Sequence, residues 1–497
     1  MISEEPERAI NSGSDRGGSV KDSVGGATDL PLPIPTATAV VVPNTPHGES
    51  LEEVRGTIAV PGEGAGFWRN WRAFAGPALL VSVGYMDPGN WSTDLTAGAT
   101  YKYGLMWVVA LSSLMAIVLQ ICAAKLGVVT GKDLARASRD YYPGWMKWPN
   151  WLATELAIGA CDLAEVLGSA VALKLLFGIP IIWGVMITAA DVVMLLSLQK
   201  LGFRKIEAFI LVLVATIGGC YFMEIVVLPQ TRPDFLEIGK SIVTPSLGQE
   251  GMLALAIAII GATVMPHNLY LHSAIVQSRR YQRDDASIKR AIKFNTIDSV
   301  VALSLAFMVN ASIMILAAMT FFPQLNGGGG GLPDGHGGLI AINDDTDWIQ
   351  VAYLTLAPLL KTGLASVLFA VALLASGQSS TVTGTLAGQV VMEGFMAWKI
   401  RPWLRRLITR LLAIVPAVIV IGMYGDGTVT KLLNFSQMVL GIQLPLAMIP
   451  LMHFTSSRRI MGRYVNGWGM KAAGWACAGL ITGLDVYLLV QMAMGKK

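Results

Sequence analysis

The sequence predicts an all-α, polytopic membrane protein whose spans form one domain, and three observations lead to this fold class. The 497 residues are 53% hydrophobic and 14% charged, with a mean hydropathy of +0.56, whereas soluble domains carry about 25% charged residues. The apolar residues fall into about eleven separate runs, each near the roughly 20 residues that an α-helix needs to cross a bilayer. Two of these runs are interrupted by proline and by polar residues.

Charge and cysteine content exclude several other classes. The net charge of +4 is too small to indicate a nucleic-acid partner. The four cysteines lie inside apolar runs and lack the paired spacing of a zinc site or a disulfide framework: Cys122, Cys161, Cys220 and Cys477. We expect them to be small packing residues in a helix bundle.

The apolar runs give the order of the predicted spans, with ends good to a few residues. They are residues 74–97, 104–129, 151–176, 179–199, 206–228, 251–277, 297–322, 362–387, 407–424, 429–452 and 470–493. The eighth contains the polar stretch SGQSSTVTG at residues 376–384. Because Ser and Thr hydroxyls can bond to helix carbonyls, this stretch indicates a polar face turned into the bundle.

The first part of the chain has a different composition. Residues 1–66 are rich in Ser, Gly, Pro, Thr and charged residues, so they can bury little apolar surface. We therefore expect a disordered cytoplasmic tail at residues 1–70 and a transmembrane domain at residues 71–493. A basic segment followed by an apolar one is missing, so a cleaved signal peptide is not expected. We favour a solvated tail over a regulatory or partner-binding one.

Lys and Arg residues predict the orientation, because cytoplasmic loops are enriched in them. They cluster in alternate connections, at residues 132–147, 200–205, 279–293, 399–410 and 458–471. The Gly-rich connection 323–348 has no Lys or Arg but contains Asp334, Asp344, Asp345 and Asp347. The N-terminus is thus expected in the cytoplasm and, with eleven spans in the cell (inner) membrane, the C-terminus outside. One span more or fewer would reverse the position of the C-terminus.

The two interrupted spans are the first and the sixth. The first contains DPGN at residues 87–90, and the sixth contains ATVMPHN at residues 262–268. Proline cannot donate to the carbonyl four residues earlier, so each helix should break there. Polar side chains are costly at bilayer depth and are usually functional. Broken helices at corresponding positions in two halves of a chain indicate the midplane binding site of a transporter.

The spacing of the breaks also predicts an internal repeat. The breaks are five spans apart, and an odd repeat length inverts the second copy in the membrane. Spans 1–5 and 6–10 can therefore form a 5+5 inverted repeat with the eleventh span appended. Sequence similarity between the halves is slight, so this inference rests on the positions of the breaks and on the odd number of spans in each repeat.

The broken segments supply a mixed set of candidate metal ligands. Asp87 offers a carboxylate and Asn90 an amide oxygen, while Pro266 leaves the carbonyl of Ala262 without its usual donor. Met265 adds a thioether, which favours softer first-row metals over Ca²⁺ and Mg²⁺. A helical Met is more often a packing residue, but the adjacent freed carbonyl and the buried Asp favour a ligand here. The predicted metal is a substrate and not a resident cofactor.

The same residues resemble a known family. GYMDPGNW at 84–91 and GATVMPHNLYLHS at 261–273 are similar to the two signature motifs of the Nramp family of proton-coupled divalent-metal transporters. Further likeness lies at 162–165, 376–388 and 435–438, within residues 70–493. The resemblance implies a LeuT-type fold, metal ligation by the four groups just described, and Gln437 joining them in some states. Trp91, often Phe in relatives, and the long N-terminal tail depart from the bacterial pattern.

Three acids on the third span form a candidate proton pathway. Glu155, Asp162 and Glu165 are spaced by seven and three residues, which places them on one helical stripe facing the bundle interior. Acids in a membrane helix often relay protons. The alternative is that they form structural ion pairs with arginines such as Arg406 or Arg410, and both interpretations can hold.

Two histidines follow the second break. His267 adjoins the predicted metal site and is expected to pass or sense protons near neutral pH. His272, five residues on, has the wrong spacing for a two-His metal face and is expected to line or pair along the proton pathway. The polar residues of the seventh span are expected to join helices or to form a gate network: Asn295, Asp298 and Asn310.

Together these features predict proton-coupled symport of divalent transition-metal ions into the cytoplasm by alternating access. Mn²⁺ is the first candidate substrate and Fe²⁺ a further one, and a functional monomer in the lipid bilayer is expected. A sodium-coupled organic-solute carrier of the same fold is the alternative, but it would need a helix terminus aimed at a substrate carboxylate. The sequence has no catalytic triad, phosphate loop or nucleotide motif that would indicate an enzyme.

Overall fold

Helices form nearly all of the regular structure in the computed structural model. It describes residues 50–62, 64–190, 202–227, 233–326, 332–333, 339–340, 346, 348–360, 363–425 and 429–494. The expectation of a disordered tail therefore lies largely outside the described residues, as do Lys496 and Lys497. Residues 50–59 are structured and contact the helix bundle, so the predicted disordered tail does not include them.

The helices follow one another in chain order, with two very short two-stranded sheets between them. The helices are α1 Phe67–Phe74, α2 Pro77–Ser82, α3 Pro88–Tyr101, α4 Met106–Thr130, α5 Leu134–Tyr141, α6 Lys147–Phe177, α7 Ile181–Thr188, α8 Phe203–Phe222, α9 Phe235–Val243, α10 Met252–Thr263, α11 Pro266–Ile275, α12 Asp285–Thr320, α13 Phe322–Asn326, α14 Trp348–Leu360, α15 Gly363–Met396, α16 Pro402–Tyr424, α17 Val429–Ser456, α18 Arg458–Met461 and α19 Trp468–Ala493. The strands are β1 Ile58–Ala59, β2 Arg279–Arg280, β3 Leu332–Pro333 and β4 Leu339–Ile340. The pair β1–β2 is parallel and the pair β3–β4 is antiparallel.

The predicted all-α membrane architecture is confirmed. In the described part of the chain, nine helical segments are long and apolar enough to cross a membrane, and they match nine of the predicted spans. The predicted first span is divided into α2, a 3₁₀ turn and α3. Of the predicted fourth span, α7 is described while residues 191–201 are not. The total of eleven spans therefore stays a prediction.

Two groups of helices pack around the breaks. In one group α12 lies along α3 and α4, and in the other α6 packs most extensively against α15 and also contacts α17. Helix α11 touches both groups, through α4 and through α15. Exposed leucine and isoleucine side chains lie on outer faces, for example Leu412 and Ile419 of α16. This is expected when the surrounding solvent is lipid, because lipid chains are as apolar as these residues.

An N-terminal segment, residues 50–59, joins these two groups at one end of the bundle. The Leu51 backbone N–H donates to Glu393 at 2.8 Å on α15, and the Leu51 side chain is buried. The Arg55 guanidinium donates to the Gly131 carbonyl at the end of α4, at 3.0 Å. Strand β1 then pairs with β2, which follows α11. The segment thus contacts helices from both groups.

At the same end, ionic contacts hold the beginning of α2. Arg279 pairs with Glu207 of α8 at 2.7 Å and donates to the Ala75 carbonyl, also at 2.7 Å. Asp298 of α12 accepts from the backbone N–H groups of Gly76 and Ala78. The prediction that Asp298 joins helices is therefore confirmed.

Candidate metal centre

The first break is organised by Asp87. Residues Val83–Met86 form a 3₁₀ turn, Asp87 is extended with φ −69° and ψ 166°, and α3 begins at Pro88. One carboxylate oxygen of Asp87, Oδ1, accepts from the backbone N–H and from the side-chain amide of Asn90, both at 2.9 Å. Asp87 is thus the N-cap of α3, with proline at the first helical position, where its missing N–H costs nothing.

Side chains from distant parts of the chain satisfy the carbonyls that this break frees. The Asn310 amide donates to the Tyr85 carbonyl at 2.8 Å. The Met86 carbonyl accepts from the Trp91 indole N–H at 3.1 Å and from the Ser376 hydroxyl. Unpaired buried carbonyls would be costly in a membrane interior, so these contacts stabilise the broken conformation. They also confirm the expectation that Asn310 joins helices.

The second break frees a backbone carbonyl and carries a buried thioether. Helix α10 ends at Thr263, Val264 and Met265 are non-helical, and α11 begins at Pro266. The Ala262 carbonyl is four residues before Pro266, which has no N–H to donate to it. The Met265 side chain is fully buried and packs with Ala157 and Cys161 of α6 and Leu440 of α17.

The two breaks face each other, and α17 approaches them. The Thr263 hydroxyl lies 3.5 Å from the Asn90 amide oxygen, across the two breaks. A Cβ atom added at Gly89 would lie 1.9 Å from the side-chain nitrogen of Gln437. Only glycine therefore allows Gln437 to lie against the first turn of α3. The two segments that carry the predicted ligands Asp87, Asn90, Ala262 and Met265 therefore face each other, and Gln437 lies beside the first of them.

Several buried polar atoms at the breaks lack a hydrogen-bond partner among the described residues. They include Asp87 Oδ2, Gln437 Oε1, His267 Nδ1 and both side-chain polar atoms of Asn268. Buried polar groups are normally hydrogen-bonded, and exceptions often mark an ion or water site. Two of these atoms are oxygens of predicted ligands, so a cation bound here would satisfy them. The sequence analysis did not single out Asn268, which lies against Gly84 of the first break.

The composition of this centre differs from that of a resident metal site. Within the described residues, no group of three or more His, Cys, Asp and Glu side chains could hold a metal ion. The predicted ligands instead combine one carboxylate with neutral amide, carbonyl and thioether groups. Such a set binds a divalent cation without surrounding it by negative charge, which suits a site that must also release its ion.

The acids of α6 lie where the sequence predicts, and they are paired with arginines. Arg410 of α16 is buried, with its guanidinium 3.6 Å from Asp162 and 3.7 Å from Glu165. Glu165 also accepts hydrogen bonds from the hydroxyls of Ser380 at 2.8 Å and Thr381 at 3.0 Å. The polar face predicted for the eighth span is thus confirmed, since it surrounds Glu165.

The third acid is paired closer to the surface. Glu155 accepts from Arg405 at 3.0 Å, and 16% of its side chain is exposed. Arg410 is one of the two partners that the ion-pair interpretation named, whereas the side chain of Arg406 lies outside the described part of the chain. Ion pairing is therefore present, and the relay interpretation stays a prediction beside it.

Cys161 connects the metal centre with the acids. Its thiol donates to Glu165 at 3.4 Å and lies 3.8 Å from Nε2 of His267, while its side chain packs against Met265. A buried cysteine in an apolar run carries no recognisable signal in a single sequence. The structure thus adds a residue that the sequence analysis assigned to packing alone.

The two histidines have different surroundings. His267 lies in the first turn of α11, between the metal centre and Cys161. His272 instead bonds through Nδ1 to the Gln120 side chain of α4 at 2.9 Å, and Gln120 donates to the Tyr85 hydroxyl at 2.7 Å. His272 therefore pairs with Gln120, and its place on the proton pathway stays a prediction.

Two broken helices that face each other around a buried carboxylate, inside an all-helical membrane bundle, define a secondary transporter. The family model described as natural resistance-associated macrophage protein-like (Nramp) matches residues 78–491. The chain belongs to the Nramp family.

Similar proteins agree with this assignment. A divalent metal cation transporter MntH from Nostoc sp. is 50% identical over 448 residues, covering 90% of this chain and 97% of that protein. The MntH protein of Mesorhizobium japonicum is 49% identical and covers 90% of this chain and 94% of that protein. These relatives are transporters and not enzymes.

Solved structures show the fold class. A manganese transporter of Eremococcus coleocola, in complex with an aromatic bis-isothiourea substituted compound, matches with a TM-score of 0.78 and 40% identity, covering 88% of this chain and 90% of that one. The nucleobase-cation-symport transporter Mhp1 matches with a TM-score of 0.52 at 13% identity, covering 90% of this chain and 96% of that one, which shows the fold alone. The predicted LeuT-type fold is confirmed.

Proposed function

We propose that this protein carries divalent transition-metal ions, with Mn²⁺ as the first substrate and Fe²⁺ as a further one, into the cytoplasm together with protons. The observation that carries this proposal is the pair of facing breaks, which joins one buried carboxylate to amide, carbonyl and thioether donors. The names of its relatives, divalent metal cation and manganese transporters, support the substrate class.

In this proposal each ligand has a separate role. Asp87 supplies the negative charge, while Asn90 and the Ala262 carbonyl supply neutral oxygens. Met265 supplies a sulfur that favours transition metals over Ca²⁺ and Mg²⁺. Gln437, which lies against Gly89, joins the set in the states in which α17 stays close.

The distribution of basic loops supports the direction of transport. The basic connections would be cytoplasmic, which places the N-terminus inside and, with eleven spans, the C-terminus outside. The two helix groups would then move relative to one another to open the site to each side in turn. We propose that one chain is sufficient for this cycle.

Protons would follow a path separate from that of the metal. Metal binding requires an ionised Asp87, so arrival of the metal favours release of a proton from Asp87 or a neighbour. His267 and Cys161 lie between the metal centre and Glu165. From Glu165 the path would continue along α6 past Asp162 to Glu155. His272 would act through its contact with Gln120, beside this path.

Uptake into vesicles tests the proposal. Purified protein in sealed vesicles should accumulate Mn²⁺, and an inwardly directed proton gradient should increase the rate. The matched control replaces the proton gradient by a sodium gradient of the same direction. Uptake driven by sodium alone would favour the sodium-coupled alternative, and no metal uptake under either gradient would contradict the metal assignment.

Neutralising the acids of α6 is expected to weaken proton coupling more than metal binding. Asp162→Asn and Glu165→Gln should each reduce acid-stimulated uptake and vesicle acidification by about 100-fold or more, the range in which proton-transfer groups act. The affinity for Mn²⁺ should change less than threefold (a ~0.6 kcal/mol change). Glu237→Gln, at an exposed pair with Lys102, is the control. If Mn²⁺ affinity collapses while proton flux is unchanged, the acids belong to the metal path.

Removing the thioether is expected to reduce selectivity. Met265→Ala should retain some Mn²⁺ transport but admit Ca²⁺ or Mg²⁺, because the remaining donors are mainly oxygens. Met265 also packs in a small apolar cluster, so Met265→Leu is the matched variant that keeps the volume and removes only the sulfur. Competition by Ca²⁺ and Mg²⁺ for Mn²⁺ uptake measures the effect. Exclusion of both ions by the two variants would place selectivity elsewhere.

A further inference from the structure

A groove separate from the metal centre lies between α1–α2, α8 and α12. Its cavity volume is about 370 Å³. The long wall is apolar and is formed by Leu79, Leu211, Val301 and Leu305. Three of these side chains are well exposed, at 52% for Leu211, 42% for Val301 and 44% for Leu305. They lie on helices long and apolar enough to span a membrane, so the groove opens toward lipid.

One end of the groove is basic. Its two carboxylates are already engaged: Glu207 lies between Arg279 at 2.7 Å and Arg204 at 2.8 Å, and Asp298 accepts from backbone N–H groups. Arg204 nevertheless keeps 52% of its side chain exposed. Arg72 lines the same end and has no carboxylate partner in the part of the chain that the structure describes. Three guanidinium groups therefore face two carboxylates, which leaves a positive charge.

Helix α1 provides independent support for a membrane-surface position. Its sequence FWRNWRAF combines basic residues with aromatic ones, and Phe67 and Trp68 are exposed. Helices with basic and aromatic faces lie at the boundary between headgroups and acyl chains. Within the groove, the indole N–H of Trp71 is a buried donor without a described partner. The basic end of the groove is thus at headgroup level.

We propose that this groove binds an anionic phospholipid. The guanidinium group of Arg72 holds the phosphate beside the charge of Arg204, whose own donors bond to Glu207 and to the carbonyls of Arg72 and Ala75. An acyl chain lies along the apolar wall. Basic pockets between membrane helices recognise anionic headgroups in this way. The apolar wall distinguishes a lipid from free phosphate, and the excess positive charge distinguishes an anionic lipid from a zwitterionic one.

The bound lipid has a mechanical consequence. It contacts α1–α2, α8 and α12 together, beside the Arg279–Glu207 pair that holds the beginning of α2. A ligand that binds only when these helices are adjacent favours that arrangement over one in which they separate. Anionic lipid therefore stabilises the protein and changes its transport rate without touching the metal centre.

The test compares the full chain in lipid nanodiscs of phosphatidylcholine with and without phosphatidylglycerol. We expect phosphatidylglycerol to raise the unfolding temperature and to remain bound to the protein in native mass spectra. Arg72→Gln should weaken phosphatidylglycerol binding about fivefold, the effect of one basic residue at an anionic surface. Val301→Trp, which fills the groove without a change of charge, should also reduce binding. Unfolding temperatures in phosphatidylcholine alone show whether each variant is folded.

Arg69→Gln is the matched control, because it removes the same charge from the same helix and does not line the groove. It should retain phosphatidylglycerol binding. An equal loss for Arg69→Gln and Arg72→Gln would overturn the proposal in favour of general surface attraction. Equal stabilisation by soluble glycerol phosphate would show a free-phosphate site. Identical behaviour of the wild-type protein in both lipids would show that the groove has no preference for anionic lipid.

Discussion

Replacing Asp87 by asparagine is expected to lower Mn²⁺ uptake by at least about 100-fold while leaving the protein folded. Asparagine is as good an N-cap as aspartate, so the bond to the Asn90 backbone N–H can be kept. What is lost is the only negative charge among the predicted ligands. Loss of a residue that merely supports a ligand already costs about 10- to 100-fold in metal affinity, and a direct anionic ligand should cost more. Initial rates of Mn²⁺ uptake into vesicles measure the effect.

The chain offers a close control for this variant. Asp133 is also a buried N-cap, with φ −73° and ψ 167°, and it accepts from the Arg136 backbone N–H at 2.9 Å. Asp133→Asn should keep most of the uptake, since it makes the same chemical change at a helix cap outside the two breaks. Asp87→Ala should abolish uptake as well and should also lower the free energy of unfolding by about 1 kcal/mol, because the cap is lost. Normal uptake by folded Asp87→Asn would remove Asp87 from the metal site.

Replacing Arg410 by methionine is expected to lower the free energy of unfolding by about 3–5 kcal/mol, the cost of leaving buried charges without their partner. Arg410 is almost fully buried and lies 3.6 Å from Asp162 and 3.7 Å from Glu165, so its removal leaves both buried carboxylates without this guanidinium. Thermal unfolding of the purified variant in detergent measures the change. Arg463→Met, at an exposed pair with Asp285, should leave the unfolding temperature almost unchanged, because exposed ion pairs contribute little to stability.

A combined variant separates charge from packing. Adding Asp162→Asn and Glu165→Gln to Arg410→Met removes the uncompensated carboxylates, and much of the lost stability should return. If the combined variant is as unstable as Arg410→Met alone, the cost lies in the packing of the guanidinium and not in the buried charges. The Arg410 variant alone should also lose proton-coupled uptake, because it removes the guanidinium that lies against both Asp162 and Glu165 on the proposed proton path.

The positions of the breaks could be predicted because their cause is local. Proline and polar residues inside apolar runs are visible in any single sequence, and α3 and α11 begin at Pro88 and Pro266 as those residues require. The facing arrangement of the breaks could also be predicted, because a repeat of five spans, an odd number, places them at corresponding points of two inverted halves. The spacing of Asp162 and Glu165 similarly placed both acids on the buried side of α6.

What stabilises the breaks could not be predicted, because it depends on contacts between distant residues. Asn310 and Ser376 are more than 200 residues from the carbonyls to which they donate. The residues around Asn310 and Ser376 in the sequence do not predict which carbonyl each will bond. The same limit applies to Arg405, which pairs with Glu155 although the sequence analysis named Arg406 and Arg410 as partners. Short helices such as α5 and α9 were missed because they are too short to appear as membrane spans.

The N-terminal segment, residues 50–59, shows that the folded part of this transporter begins before the family-model match. The family model begins at residue 78, so a chain trimmed to the family match would lack Leu51, Arg55 and strand β1. Such a chain would keep every predicted metal ligand and still lose a tether between the two helix groups. The rate at which the trimmed chain switches between access states would then differ from the rate of the full chain. For this protein, the unit that should be expressed starts about thirty residues before the stretch that the family model matches.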